Sequence, residues 1–233
     1  MNILKLIGVM LDYPKDEMWQ YRDELIAAGN DAALSVSRRK QLQTFITGRL
    51  DLDPMRAQED WLALFDRGRS MSLLIFEHIH GESRDRGQAM VDLMESYRSN
   101  GFEMTTRELP DYLPVMLEYL SMRPSEEVLD WLKHTGPIIE LLAARATERQ
   151  SPYSLLFELL IELGNGKVDL TLMRQKVASE ERDDTPEVMD QVWEEEAVRF
   201  GNEAPSESCA PPKRLPTGAT TTGHAVNTSQ VTL

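Results

Sequence analysis

Ser151-Pro152-Tyr153-Ser154-Leu155-Leu156-Phe157-Glu158-Leu159-Leu160-Ile161-Glu162-Leu163-Gly164-Asn165-Gly166 is the stretch that decides the fold class. Leu155, Leu156, Leu159, Leu160 and Leu163 recur at the three-to-four spacing that lines one face of an α-helix. A polar residue before a proline opens the stretch, because a proline in the first turn sacrifices no helical hydrogen bond. A Gly-Asn-Gly run closes it. The pattern continues outward. Leu42, Phe45, Ile46 and Leu50 carry it, as do Met90, Val91, Met94 and Tyr97. Asp53-Pro54 and Thr185-Pro186 are further starts, and Gly101 and Gly136 further stops. Alternating strand-like runs joined by Asn-Gly or Asp-Gly turns are missing, and no repeat period suggests a solenoid. Read from cap to stop, residues 2–200 hold about ten helices. The expectation is an all-α protein, a single compact helical bundle.

After Phe200 the composition changes. Residues 201–233 contain no aromatic residue and are rich in Pro, Thr and Ser. Such a segment buries too little apolar surface to offset its ordering entropy, so a disordered tail is expected to follow a helical domain of residues 1–200.

Charge and cysteine usage exclude several classes. Lys and Arg number 25 against 39 Asp and Glu, a formal net charge of −14. That field repels phosphate backbones and anionic lipid headgroups, so neither nucleic acid nor a membrane surface is an expected partner. Cys209 is the only cysteine, which excludes an intrachain disulfide framework and a cysteine zinc site and favours the cytoplasm. Ile3 to Leu11 is apolar but has neither a basic leader nor a small-residue cleavage site. It reads as a first amphipathic helix. The next apolar stretch, Met71 to Phe76, is far below the roughly 20 residues of a membrane helix.

Polar residues are densest in Asp66-Arg67-Gly68-Arg69 and in Glu77-His78-Ile79-His80-Gly81-Glu82-Ser83-Arg84-Asp85-Arg86. His78, His80, Glu82 and Asp85 could offer metal ligands, as a metal-dependent helical hydrolase would require. The spacing disfavours this, since residues two apart on a helix do not share a face. An ion network suits the segment better, with Arg67, Arg69, Arg84 and Arg86 neutralising Asp66, Glu77, Glu82 and Asp85. No nucleophile elbow, phosphate loop or dinucleotide fingerprint is present, so no catalytic residue and no cofactor is expected. The acidic run Glu180-Glu181-Arg182-Asp183-Asp184 reads as a solvated face.

Arg107-Glu108-Leu109-Pro110-Asp111-Tyr112-Leu113-Pro114 interrupts the helical pattern with two prolines and two acids. Asp111 is positioned to cap the helix that follows, with Pro114 in its first turn. A rigid polar turn of this kind can border an apolar groove that receives a peptide helix, and Leu64, Phe65, Glu108, Leu109, Pro110, Asp111 and Tyr112 are the residues expected there.

Leu64 to Arg69, Ser72-Leu73-Leu74, Phe76-Glu77-His78, Gly81 to Leu93, Arg107 to Leu120, Arg182 to Thr185 and Val192 to Glu196 together resemble the delta-subunit chaperones of respiratory nitrate reductase, the NarJ/NarW family. The resemblance spans about residues 1–200 and implies a TorD/DmsD-like helical fold of the redox-enzyme maturation class. It also implies a partner: the N-terminal segment of the nitrate reductase catalytic alpha subunit, within an immature alpha-beta complex that awaits its molybdenum cofactor in the cytoplasm. The wider class carries Glu-x-Pro-Asp-His at its peptide-binding region. Glu108, Pro110 and Asp111 match that motif, whereas Tyr112 replaces the histidine and cannot become cationic near neutral pH.

Overall fold

The computed structural model describes residues 2–81, 83–105, 107–185, 188 and 190. Among them eleven α-helices occur in chain order: α1 (Ile3–Leu11), α2 (Glu17–Gln20), α3 (Arg22–Asn30), α4 (Val36–Leu50), α5 (Pro54–Phe65), α6 (Ile75–His80), α7 (Arg84–Ser99), α8 (Leu113–Leu120), α9 (Ser125–Glu148), α10 (Ser154–Leu163) and α11 (Thr171–Val177). A 3-10 turn, Arg69–Met71, lies between α5 and α6. No strand is present among the described residues, and the protein is all-α as the periodicity requires. The expected tail, residues 201–233, lies outside the described residues.

Local signals explain several helix ends. Asp53 caps α5 by accepting from the Met55 N–H at 3.0 Å, with Pro54 in the first turn. Ser35 and Ser83 cap α4 and α7 in the same way. After α7, Gly101 takes the left-handed conformation at φ 74°, and after α10 Asn165 does so at φ 60°. Gly136 is not the stop that its residue type suggests. It lies inside α9 beside Pro137, and the helix runs through both. Leu132, Ile139, Leu142 and Ala143 bury the α9 face on either side, and that burial outweighs one missing backbone bond.

The α9–α10 pair is the most extensive helix contact, followed by α1–α8 and α3–α4. Leu156, Phe157, Leu159 and Leu160 of α10 are wholly buried, each contributing about 1.5–3 kcal/mol of apolar transfer. Helix α1 presses closely on α8 because Gly8 has no side chain. A Cβ there would lie 3.1 Å from the Pro114 carbonyl oxygen and 3.4 Å from Leu117 Cβ. Among the described residues no helix is long and apolar enough to cross a membrane.

Candidate docking site at the Glu108–Tyr112 turn

The turn that precedes α8 is tied to the start of α6 by its backbone. Ile75 donates its N–H to the Asp111 carbonyl at 3.0 Å, and Leu113 donates to the Leu73 carbonyl at 2.8 Å. Leu74 and Tyr112 thereby form an isolated antiparallel bridge. Asp111 Oδ2 accepts the Phe76 N–H at 3.2 Å, so this carboxylate caps α6. The expected cap of the following helix is not formed. Tyr112 occupies the N-cap of α8 without a side-chain bond, while Pro114 does sit in the first turn. The reason is direction: the backbone bridge aims the Asp111 side chain at the helix across the bridge.

Asp111 is completely buried. Arg86 on α7 approaches its Oδ2 at 3.6 Å and donates to Glu77 at 3.0 Å. Oδ1 has no partner. Burial therefore pushes the Asp111 carboxyl above the usual carboxylate range, against the opposing pull of Arg86 and of the Phe76 N–H. Two tyrosines complete the support. The Tyr97 hydroxyl donates to the Pro110 carbonyl at 2.8 Å, and the Tyr112 hydroxyl donates to Asp12 at the end of α1 at 2.9 Å. Burial raises the Tyr112 phenol, and the Asp12 carboxylate adds to the shift. It stays a neutral donor.

The outward side of this scaffold is a cleft of about 120 Å³ between α1 and α8, with Gly8, Val9, Tyr112 and Val115 on its walls. Lys5, Lys15, Asp12, Glu108 and Glu118 also line it, so both signs of charge border an apolar strip. Leu109 stands half-exposed on the turn. Of the residues named from sequence, Glu108 and Tyr112 reach this cleft. Pro110 and Asp111 are buried behind it. Leu64 and Phe65 are also buried, and Phe65 packs on Trp61 and Tyr153 with ring centroids 5.4 and 5.1 Å away. Their apolar faces are spent on the core, so they cannot line an open groove. Val9 and Val115 escaped sequence reading because α1 and α8 are apolar on nearly every face. A wider trough of about 690 Å³, with Phe45, Gly48, Leu52 and Leu155 on its walls, lies between α4 and the start of α10.

Among the described residues, the expected ion network is seen around Arg86 and Glu77, with the buried Asp111 as a further partner. Asp66, Arg67, Arg84 and Asp85 are exposed and form no ion pair among the described residues. Arg69 opens the 3-10 turn, and Glu82 lies outside the described residues. His78 Nε2 is 2.8 Å from the Ser72 carbonyl, and burial lowers its pKa against the raising pull of that carbonyl, with the Arg145 charge adding to the burial. His80 meets the Phe76 ring edge-on at 5.7 Å. Among the described residues no three His, Cys, Asp or Glu side chains gather as a metal site would need. A contact that sequence reading missed joins Asp183 to Ser70 and Arg149. Gly68, in the turn below it, is the one local sign of such a close approach.

The described residues thus form a helical bundle with a supported turn beside a cleft whose apolar strip is bordered by charged side chains. Residues 31–158 match the family model described as nitrate reductase delta subunit, and the chain belongs to that family. It is 46% identical over 201 residues to the nitrate reductase molybdenum cofactor assembly chaperone NarJ of Escherichia coli K12, covering 84% of each chain. It is 43% identical over 202 residues to the probable chaperone NarW of the same strain, covering 86% of this chain and 84% of that one. The probable NarJ of Bacillus subtilis strain 168 is 28% identical over 155 residues, covering 66% and 84%. The family is one of assembly chaperones and not of catalysts.

Proposed function

We propose that this protein is the assembly chaperone of a respiratory nitrate reductase, acting in the cytoplasm before the enzyme attaches to its membrane. The observation that carries this reading is the 46% identity over 84% of both chains to a relative named for molybdenum cofactor assembly. The partner is the catalytic alpha subunit, held through its N-terminal segment within the immature alpha-beta complex while the molybdenum cofactor is inserted. The cleft between α1 and α8 is the docking site. Val9 and Val115 take the apolar face of a peptide helix, Glu108 and Glu118 meet its basic residues, and Tyr112 is held as a rigid wall by Asp12. Burying a few large apolar side chains at about 1.5–3 kcal/mol each, less the ordering costs, gives reversible micromolar-to-nanomolar capture. Asp111 fixes the turn from behind and contacts nothing outside the protein.

Genetic complementation tests the function. In a nitrate-respiring strain deleted for its own chaperone, expression of this protein should restore both nitrate reductase activity and the molybdenum content of the purified enzyme. Activity and molybdenum that stay at the empty-vector level, with the protein expressed and soluble, would overturn the proposal.

A further inference from the structure

Glu180 to Asp184 have a receptor in the fold. Asp183 Oδ2 accepts the Ser70 N–H at 2.7 Å, and Oδ1 accepts the Ser70 hydroxyl at 2.5 Å and Arg149 Nη2 at 3.1 Å. Arg149 Nη2 also donates to Ser70 Oγ at 2.8 Å and lies 3.6 Å from Asp184. One helical turn earlier on α9, Arg145 donates to Glu180 at 2.8 Å and to the Ser70 carbonyl at 2.7 Å. Two arginines four residues apart thus meet two acids three residues apart. The turn beneath is shaped to admit a carboxylate. A Cβ on Gly68 would stand 2.6 Å from the Asp183 carboxylate, although the Gly68 φ of −144° suits any residue. Arg149 is nine-tenths buried and keeps one buried donor, Nη1, with no partner.

Charge holds this segment in place, and apolar burial contributes little. From Ala178 to Thr185 no described apolar side chain is buried, and the one buried side chain is that of Asp184, 7% exposed beside Arg149. The Glu180 and Asp183 side chains are each 30% exposed, so water can compete for their pairs, and segments without buried apolar contacts open locally well before the whole fold does. We propose that residues 180–184 are a releasable strap on a two-carboxylate receptor, and that once it leaves, the Ser70–Arg145–Arg149 surface takes a paired-acid peptide segment of another chain. In cis the strap has the advantage of a high effective concentration, so the intact chain masks the receptor. The inference is independent of the α1–α8 cleft and of its occupant.

Hydrogen exchange and peptide binding test it together. The double variant Glu180→Gln, Asp183→Asn removes the two acids that bond Arg145, Arg149 and Ser70 and leaves Asp184 in place, and Gly68→Ala evicts the Asp183 carboxylate without altering any charge. In both, amide exchange of Ser70 should accelerate at least tenfold while α9 and α10 keep their protection. A blocked peptide of residues 177–185 should then bind the double variant saturably, bind the unaltered chain at least tenfold more weakly, and fail to bind once Arg149→Leu is added. Unchanged exchange at Ser70 in both strap variants would overturn the proposal. So would peptide binding that is absent from the double variant, or is equally strong in the unaltered chain or after Arg149→Leu.

Discussion

Asp111 and Asp183 both secure the chain between α5 and α7, and they do so in opposite electrostatic settings. Asp111 is fully buried, caps α6 through Phe76, and has one carboxylate oxygen unmet. Asp183 is half-buried and takes two bonds from Ser70 and one from Arg149. Burial pushes the first carboxyl up, whereas the Ser70 donors and the Arg149 charge outweigh desolvation and hold the second down. A buried polar group with few partners can stay only because the surrounding packing enforces it. A half-buried group with many partners is locally content and can still come away. The first belongs to the scaffold behind the α1–α8 cleft, and the second to the proposed strap.

Asp111→Ala should have the largest effect. It strips α6 of its cap and leaves Arg86 without its buried acid, which should cost about 2–4 kcal/mol in urea unfolding. Asp111→Asn keeps an acceptor for the Phe76 N–H and removes a charge that burial disfavours, so it should cost less than about 1 kcal/mol. If the two variants unfold alike, the attraction of Arg86 outweighs the cap and the comparison fails. Tyr112→Phe removes the bond to Asp12 and should cost about 1 kcal/mol by the same measurement, without disturbing the strap. Asp183→Asn should lower global stability by about 1 kcal/mol while opening the strap locally, because asparagine keeps an acceptor for Ser70 and Asp184 remains beside the buried Arg149.

The smallest effect is the dependence on pH, where the two carboxylates differ in sign. The folded value of Asp183 is depressed, so its contribution is present above the ordinary carboxylate range near 4 and is lost as pH falls through the depressed value. The folded value of Asp111 is raised, so its contribution is present below that range and is lost as pH rises through the raised value. In acid titrations of urea stability, Asp183→Asn should flatten the loss at low pH. Asp111→Asn should gain relative stability toward neutrality. Parallel curves for the two variants would erase the distinction.

Legibility in the sequence followed contact distance. The α10 helix, its Gly164-Asn165-Gly166 end and the Asp53-Pro54 start depend on neighbours within a turn, and spacing alone showed them. Gly136 misled because propensity speaks for an isolated helix, whereas the burial of α9 is tertiary. The Glu108–Tyr112 turn stood out by its prolines and acids, but the true target of Asp111, Phe76, lies 35 residues away. Asp183 and Ser70 are 113 residues apart, and no spacing rule reaches that far. The family resemblance included Asp183, within Arg182 to Thr185, and stopped at Arg69, one residue short of Ser70, without indicating that the two meet.

The most direct test of the central claim is calorimetric titration with a peptide from the N-terminus of the cognate nitrate reductase alpha subunit. The titration compares the unaltered chain with Val9→Asp in the α1–α8 cleft and Gly48→Glu in the α4 trough, where a side chain meets open space. The account predicts saturable one-to-one binding that Val9→Asp weakens at least tenfold, about 1.4 kcal/mol, and that Gly48→Glu leaves unchanged. Binding lost in Gly48→Glu and kept in Val9→Asp would contradict the assignment of the cleft, and no binding to the unaltered chain would contradict capture of this segment altogether.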